Sequence, residues 1–387
     1  MVVPQLEARR HLLLIGGGHA HVAVLKAFGD HPLPDVRVTL VSQESMTPYS
    51  GMIPGLVAGH YGFGDSHINL PRLCQASKTS FQQGTLLGLD LPTKEARVAV
   101  AGGQESIGFD LVSVNTGSTP SDEGVPGAQV HGIPLKPIPE FLRGWEALVE
   151  RVHRNPARPV QVVVVGGGAG GVELTLSAQH RLISSVAEHD ASPAGIRFTL
   201  LSASDVPVPT HNKWVQSKIG RILRERRIQC LLGHRVVEVT PRTIRCEPGV
   251  EVPFDVLFWA TNAAAPSWIR GSGLRSDVRG FLAVNECFQS LSHAYVFAAG
   301  DVASVLCQPR PKSGVFAVRQ GPLLASNLRR ALLGEALARY NLQVKFLSLI
   351  GTGDRHAVGS RGDLAFEGKW VWWLKDWIDR RWIAQYA

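Results

Sequence analysis

Three stretches of this chain occur twice in the same order, and that repetition limits the fold more than anything else in the sequence. LLLIGGGHAHVAVL (12–25) is answered by VVVVGGGAGGVEL (162–174), VRVTLVSQES (36–45) by IRFTLLSASD (196–205), and FDLVSVNTGSTP (109–120) by FDVLFWATNAAAP (254–266). The offsets are 150, 160 and 145 residues. One such match arises easily by chance, but three in register mark two copies of one βαβ unit. Each copy opens with an apolar run that stops at glycines and resumes as a helix. In that pattern the turn after a strand presents backbone N–H groups to a phosphate.

The second copy holds a complete G-x-G-x-x-G as Gly166, Gly168 and Gly171; the first keeps Gly16 and Gly18 but has His21 in third place. The first glycine makes the tight turn and the second lets the backbone approach a pyrophosphate. The third serves only close helix–strand packing, so His21 affects helix position rather than phosphate binding. His19 and His21 each admit two readings: a place beside the pyrophosphate or redox ring, or local packing. Packing is the preferred reading for His21. The second strand of each copy ends at Ser42 and Ser202, where an acid customarily holds the adenosine ribose. Ser42 can still hydrogen-bond a ribose, with Glu44 close by. Without an acid Ser202 does not repel a 2′-phosphate, yet no arginine follows to welcome one, so NADH and NADPH stay open.

With 387 residues the chain is too long for one compact core, and two or three domains are expected. Hydrophobic residues make up 44% and charged residues 19%, a globular balance that excludes disorder. The formal charge of +8 suits an anionic cofactor or membrane surface. Its basic residues are dispersed, clustering only at RERR (224–227) and DRRW (379–382), so no nucleic-acid partner is expected. The opening MVVPQLEARR does not read as a signal peptide, and no apolar run is long enough to cross a bilayer. Cys74, Cys230, Cys246, Cys287 and Cys307 form no close pair. That argues against a zinc ribbon or other metal site and fits a reducing, cytoplasmic setting.

Two tandem nucleotide folds together with YVFAAGDVAS (295–304) resemble the two-dinucleotide flavoproteins of the pyridine nucleotide-disulfide oxidoreductase superfamily. Within it the chain is most similar to the type II NADH dehydrogenase and sulfide:quinone oxidoreductase branch. GGGHAHVAVLKAFG, TPYSGMIPGLVAGHY (47–61) and PKSGVFAVRQGP (311–322) further resemble a subgroup often fused in front of selenide, water dikinase, of which only the flavoprotein half matches. The resemblance implies FAD in the first fold and NAD(P)H in the second. Gly16 and Gly18, with His19 and Ser42 near, would cradle the FAD pyrophosphate and adenosine. Pro48, Tyr49 and Ser50 would lie against the isoalloxazine, Thr116 and Gly117 would pass the adenosine-pyrophosphate side, and Gly300 and Asp301 would reach the ribityl chain. Arg319, Gln320 and Gly321 would open a helix aimed at the flavin pyrimidine edge, where a helix N-terminus stabilises reduced flavin. Gly166, Gly168 and Gly171 would bind the NAD(P)H pyrophosphate. Glu173, placed in the first turn of its helix, matches a family glutamate near the nicotinamide. Glu173 and Gln320 are the catalytic candidates.

The expected architecture is α/β: two Rossmann-like doubly wound domains, the NAD(P)H domain (121–280) inserted in the FAD domain (1–120 and 281–345). A strand/helix tail (346–387) follows. PGAQVHGIPLKPIP (126–139) reads as a hinge between the domains. The tail segment WVWWLKDWIDRRWI (370–383) projects Trp370, Val371, Trp373, Leu374, Trp377, Ile378 and Trp382 onto one helical side, and Lys375, Asp376, Asp379 and Arg380 onto the other. Such a helix suits a membrane interface, a second subunit in a homodimer, or its own flavin domain. The expected function is hydride transfer from NAD(P)H to FAD, with electrons passed on to a quinone-type acceptor at the inner face of a membrane. Two alternatives stand beside it. One is reduction or oxidation of a sulfur or selenium compound, with Cys307 as a reactive thiol. The other is a nucleotide-binding redox sensor with little turnover.

Overall fold

The computed structural model describes residues 10–386 apart from 122–123, 189–191, 193–194, 248, 262, 309–311 and 341–345. The first repeat runs β1 (Arg10–Ile15), α1 (His19–Asp30), β2 (Val36–Ser42), β3 (Ser80–Gln83) and β4 (Leu111–Val114). Next come β5 (Ile133–Pro134), α2 (Ile138–Arg154), β6 (Val160–Val165) and α3 (Ala169–Ala187). The second repeat continues with β7 (Ile196–Ser202), α4 (Lys213–Glu225), β8 (Gln229–Leu232) and β9 (Val256–Trp259). The chain then forms β10 (Val296–Ala298) and α5 (Gly314–Leu333). It closes with a hairpin of β11 (Leu347–Gly351), β12 (Ala357–Arg361) and β13 (Leu364–Gly368), followed by α6 (Lys369–Ile383).

Two five-stranded sheets result, each wholly parallel, in the orders β10-β4-β1-β2-β3 and β5-β9-β6-β7-β8. Without its outermost strand, each sheet repeats the other. The outer strand reaches the two sheets from opposite chain directions: β10 follows the second repeat, whereas β5 precedes it. The connection between the third and fourth strands is a three-stranded antiparallel meander in both copies, at 85–108 and 235–253. The α/β architecture thus follows the duplication, and the tail is the anticipated strands and helix.

The central runs read as unbroken apolar stretches because both faces of each sheet are covered. Leu12 and Leu14 pack with α1 and α5, while Leu13 and Ile15 pack with the first meander. Val162 and Val164 pack with α2, α3 and α4, while Val163 and Val165 face the second meander. Ile350 and Val358 of the tail hairpin join the core that α2, α3 and α4 build. The helices α1 and α5 lie so close that a Cβ on Gly321 would stand 2.7 Å from that of Ala23.

The third fingerprint position shows what His21 does. In the second copy a Cβ on Gly171 would lie 1.9 Å from the Gly166 carbonyl oxygen. In the first copy the imidazole meets the equivalent carbonyl instead. Burial pulls the pKa of His21 down to about 4, so the ring is neutral. Its Nδ1–H donates to Gly16 O at 2.7 Å, and Nε2 accepts from Ser113 Oγ at 2.8 Å. His21 is therefore a packing residue that pins the glycine turn to β4. His21→Ala should cost about 1–3 kcal/mol for each buried partner it leaves unpaired, read as a lower urea midpoint. An unchanged midpoint would show that the ring holds nothing.

Candidate functional site

In an open parallel sheet, ligands lie beyond the carboxyl ends of the strands, where the strand order reverses. In the first sheet that point falls between β1 and β4. Gly16 has φ +92°, and a Cβ there would come within 2.6 Å of Asn115 O. A Cβ on Gly18 would stand 2.3 Å from Asn115 Oδ1. Asn115 draws four segments together. Its N–H donates to Ile15 O at 2.7 Å, and its Oδ1 accepts from Ala20 and His21 N–H at 3.1 and 3.2 Å. Its Nδ2 donates to Ala299 O at 2.7 Å. Gly300 N–H in turn donates to Gln320 Oε1 at 2.7 Å. Sequence reasoning missed Asn115, although it immediately precedes the singled-out Thr116 and Gly117. Thr116 is exposed, Gly117 opens onto free space at φ +77°, and Ser118 Oγ beside them is buried with no partner among the described residues.

The second turn repeats the arrangement. Gly166 has φ +127°, and its Cβ would meet Ala260 O at 2.3 Å. Gly168, at the N-terminus of α3, has nothing within 4 Å of that position. Ser42 and Ser202 are buried under their turns, and Cβ atoms on Gly17 and Gly167 would approach their hydroxyls at 3.1 and 2.5 Å. These cradles fit two dinucleotides: tight glycine turns, a helix N-terminus behind each, open space at Gly117 and Gly168, and an unpaired hydroxyl at Ser118.

His19, Tyr49 and Ser50 come together. Ser50 N–H donates to His19 Nε2 at 3.2 Å. Burial pulls the His19 pKa down to about 4, against the opposing field of Asp301, so the neutral ring keeps Nδ1–H as its donor. Tyr49 meets His19 edge-on and stacks on Trp382 of α6, with ring centroids 4.2 Å apart. Pro48 ends the short strand Met46–Pro48 that leads into this loop. One expectation is corrected. Arg319, Gln320 and Gly321 do not open a helix; α5 starts at Gly314, whose Cβ would meet Ser50 Oγ at 2.1 Å, and they lie five to seven residues further in.

Asp301 is not free. Lys136 of the crossing segment pairs with its Oδ2, and only 13% of its side chain is exposed. Lys312 donates to Ala303 O and stands over the Phe281 ring, 4.0 Å from its centroid. Burial pulls the pKa of Lys312 down to about 8, although Asp301 works the other way. Neither lysine was anticipated from the sequence.

Glu173 also needs correcting. It lies beyond the first turn of α3, so it does not complement the helix dipole. Its Oε1 instead accepts the N–H of Gly351 in the tail, at 2.7 Å. Burial pushes its pKa up to about 7; Lys375 and that N–H pull the other way. Of the uses left open for the tail helix, the structure docks its Lys375 side on the protein and leaves part of its tryptophan side exposed. Lys375 and Asp379 point inward, 2.7 Å apart, and Lys375 also donates to Gly51 O. Burial opposes the Lys375 charge, but Asp379 and Glu173 outweigh it and its pKa rises. Val371 and Trp372 are buried with them, whereas Trp370, Trp373 and Trp377 are 57–58% exposed. The reason is local: Lys375, Asp376 and Asp379 find partners in Gly51, Tyr61 and Tyr49 of the 47–61 loop, which water-facing tryptophans need not do. Lys375 further lines a cavity of about 10 Å³ with His60, Ser177 and Trp372, room for about one water. Cys307 is exposed, and desolvation with the nearby Glu286 raises its pKa, the wrong direction for a thiolate nucleophile. Among the described residues no cluster could hold a metal ion, and no helix is long and apolar enough to cross a membrane.

A family model described as pyridine nucleotide-disulphide oxidoreductase matches residues 10–321. Type II NADH:quinone oxidoreductases are among the relatives. That of Staphylococcus aureus is 21% identical over 97% of this chain and 95% of its own length. That of Haemophilus influenzae is 22% identical over 77% and 74%. Similar folds include NDH2 from Plasmodium falciparum in complex with NADH, with TM-score 0.82, 12% identity, and 98% and 97% of the two chains covered. The sulfide:quinone oxidoreductase of Aquifex aeolicus has TM-score 0.80 at 17% identity, with 97% and 91% covered.

The raised pKa of Glu173 has a measurable consequence. Between its ordinary 4.5 and about 7 the unfolded chain ionises this group while the folded chain keeps its proton. Stability therefore falls as pH rises through that window. Glu173→Gln retains an oxygen for Gly351 N–H and removes the penalty. The variant should gain stability over the parent from pH 4.5 to 7, read as diverging urea midpoints; parallel curves would contradict the shift.

Proposed function

The chain belongs to the pyridine nucleotide-disulphide oxidoreductase family, and from that premise we propose that it is an FAD-dependent NAD(P)H dehydrogenase with a quinone-type acceptor. The observation that carries this reading is the meeting of Glu173, from the second fold, with Lys375, Asp379 and the 49–51 loop beside the first. FAD, when bound, accepts a hydride from the nicotinamide and passes two electrons to the acceptor.

The chain's own residues supply binding, orientation and proton handling. Gly16, Gly18 and Gly117 would hold the FAD phosphates, Gly300 and Asp301 the ribityl chain, and Gly166 and Gly168 the NAD(P)H pyrophosphate, with Gly171 packing α3 close against that turn. Gln320 fixes the Gly300 turn through its accepted N–H. Tyr49, with Trp382 stacked on it, walls the flavin loop. Reducing a quinone to a quinol with NADH consumes one net proton, and a carboxyl group with pKa near 7 is poised to give and regain one at neutral pH. Lys375 steadies the Glu173 carboxylate after the proton leaves. The names of the type II NADH:quinone oxidoreductase relatives support quinone over a sulfur or selenium acceptor. The raised Cys307 pKa argues in the same direction. The motifs at 47–61 and 311–322 resemble those of the subgroup fused to selenide, water dikinase, and on that resemblance a selenium compound is the second acceptor to assay.

The outward tryptophans support a peripheral seat on a membrane. Trp370, Trp373 and Trp377 share one exposed side of α6, and the Arg381 guanidinium lies 5.4 Å from the Trp377 ring centroid. Aromatic rings beside cations suit the headgroup layer. A cytoplasmic protein on the inner face follows from this reading; dimerisation through the same side is the competing use.

Anaerobic titration with NADH and then NADPH should bleach the flavin band stoichiometrically with at least one of them, and a short-chain quinone should restore it. Flavin that neither nicotinamide reduces would sink the donor assignment. Replacing Trp370, Trp373 and Trp377 with serine should abolish sedimentation with anionic phospholipid vesicles and leave flavin content unchanged. Undiminished vesicle binding would refute the membrane seat.

A further inference from the structure

The crossing segment between the two folds touches both nucleotide turns with adjacent residues. Ile133 and Pro134 pair with β9 at the edge of the second sheet, and Leu135 N–H donates to Trp259 O at 2.9 Å. The Leu135 side chain backs the second glycine turn, 3.5 Å from where a Cβ on Gly170 would lie. The next residue, Lys136, turns the other way and pairs with Asp301 of the first fold. The pair sits among few other charges. Lys312 is within the field of both, with Asp277 and Arg279 beyond it, and His19 senses both while itself neutral. One carboxylate therefore faces two ammonium groups.

The charge balance of the reaction makes this placement consequential. Hydride transfer from NADH leaves a nicotinamide with one more positive charge and a flavin with one more negative charge. An unmasked Asp301 carboxylate would oppose that gain. A carboxylate neutralised by Lys136, with Lys312 in excess, favours it. The same excess of positive charge disfavours retention of the oxidised nicotinamide.

We propose that Lys136 is a positioning residue which neutralises Asp301 and thereby raises the redox potential of the bound flavin, acting from a segment that also backs the NAD(P)H turn. This rests on reading the first fold as the FAD site, and it does not depend on which acceptor is used.

The test uses the FAD-loaded protein and its Lys136→Gln and Lys136→Arg variants, with neither nicotinamide nor quinone present. Two quantities are read: the midpoint potential of the flavin, and the sulfite concentration that bleaches it, since sulfite addition to flavin N5 also places negative charge on the ring. Lys136→Gln should lower the potential and weaken sulfite binding roughly tenfold or more, the scale of one charge-assisted contact. Lys136→Arg should stay close to the parent in both. A Gln variant with parental values overturns the proposal, as does an Arg variant that falls equally, because shape rather than charge would then be at work. If the Gln variant sheds its flavin, retention of flavin at parental potential by the Arg variant supports the proposal, and loss from both overturns it. A parent that binds no FAD refutes the underlying site assignment instead. A separate quinone assay in which the parent, with normal flavin chemistry, reduces no quinone refutes only the acceptor.

Discussion

Two backbone crossings hold the rest of this molecule in place. At Gly16 the chain leaves β1 against Asn115 and Thr116, and at Gly166 it leaves β6 against Ala260, each at a separation that no side chain could enter. Each crossing sits where the strand order of its sheet reverses, so each opens the crevice in which such sheets bind ligands. The crossings differ in one residue. Asn115 adds an amide that ties α1 to the segment after β10, whereas Ala260 adds nothing beyond backbone. The first turn is thus locked by four segments, while the second stays open at Gly168. A cofactor that remains bound suits the first arrangement, and one that exchanges each turnover suits the second.

The tail helix shows charge overruling the helical wheel. Burying an ion pair is costly unless both groups are fully satisfied, and α6 meets that condition in one rotational setting. Lys375 reaches Asp379, Gly51 O and the field of Glu173, while Asp376 takes the Tyr61 hydroxyl. Turning the helix to bury its tryptophans would strand those charges in water and leave Glu173 without its cation. The exposed apolar face is therefore a consequence of where the charges must go.

Much of this was legible in the sequence, and the limits have physical causes. Repetition exposed both glycine turns, and offset pairing marked the strands on either side of each. The meanders at 85–108 and 235–253 escaped because their strands alternate without shared residues, so topology is preserved where identity is not. The start of α5 was misplaced because the RQG motif drew attention away from Ser313, a favoured N-cap residue type whose hydroxyl makes no capping bond here. Asn115, Lys136 and Lys312 lie inside segments singled out for other residues, and were missed because their partners Ala299, Asp301 and Ala303 are brought to them by the fold and not by any local pattern. Which side of the tail helix docks stayed open because hydrophobicity alone was projected; a lysine and an aspartate four apart next to a Trp pair carry no sign of which side is inward.

The duplication also separates holding a cofactor from using it. The glycines proposed to cradle phosphates recur in both copies, at Gly16 and Gly166, Gly18 and Gly168. The charges around the place where the two folds meet do not recur. Lys136 comes from the linker, Lys312 from the segment before α5, and Lys375 with Asp379 from the tail. Glu173 makes the contrast sharpest, because its counterpart in the first copy is Ala23. There the small side chain lets α5 approach to contact at Gly321, while in the second copy the carboxylate reaches Gly351 and the buried lysine. One position of the repeated helix thus serves packing in one fold and holds a buried carboxyl group in the other. The difference is set by what the later parts of the chain bring against it.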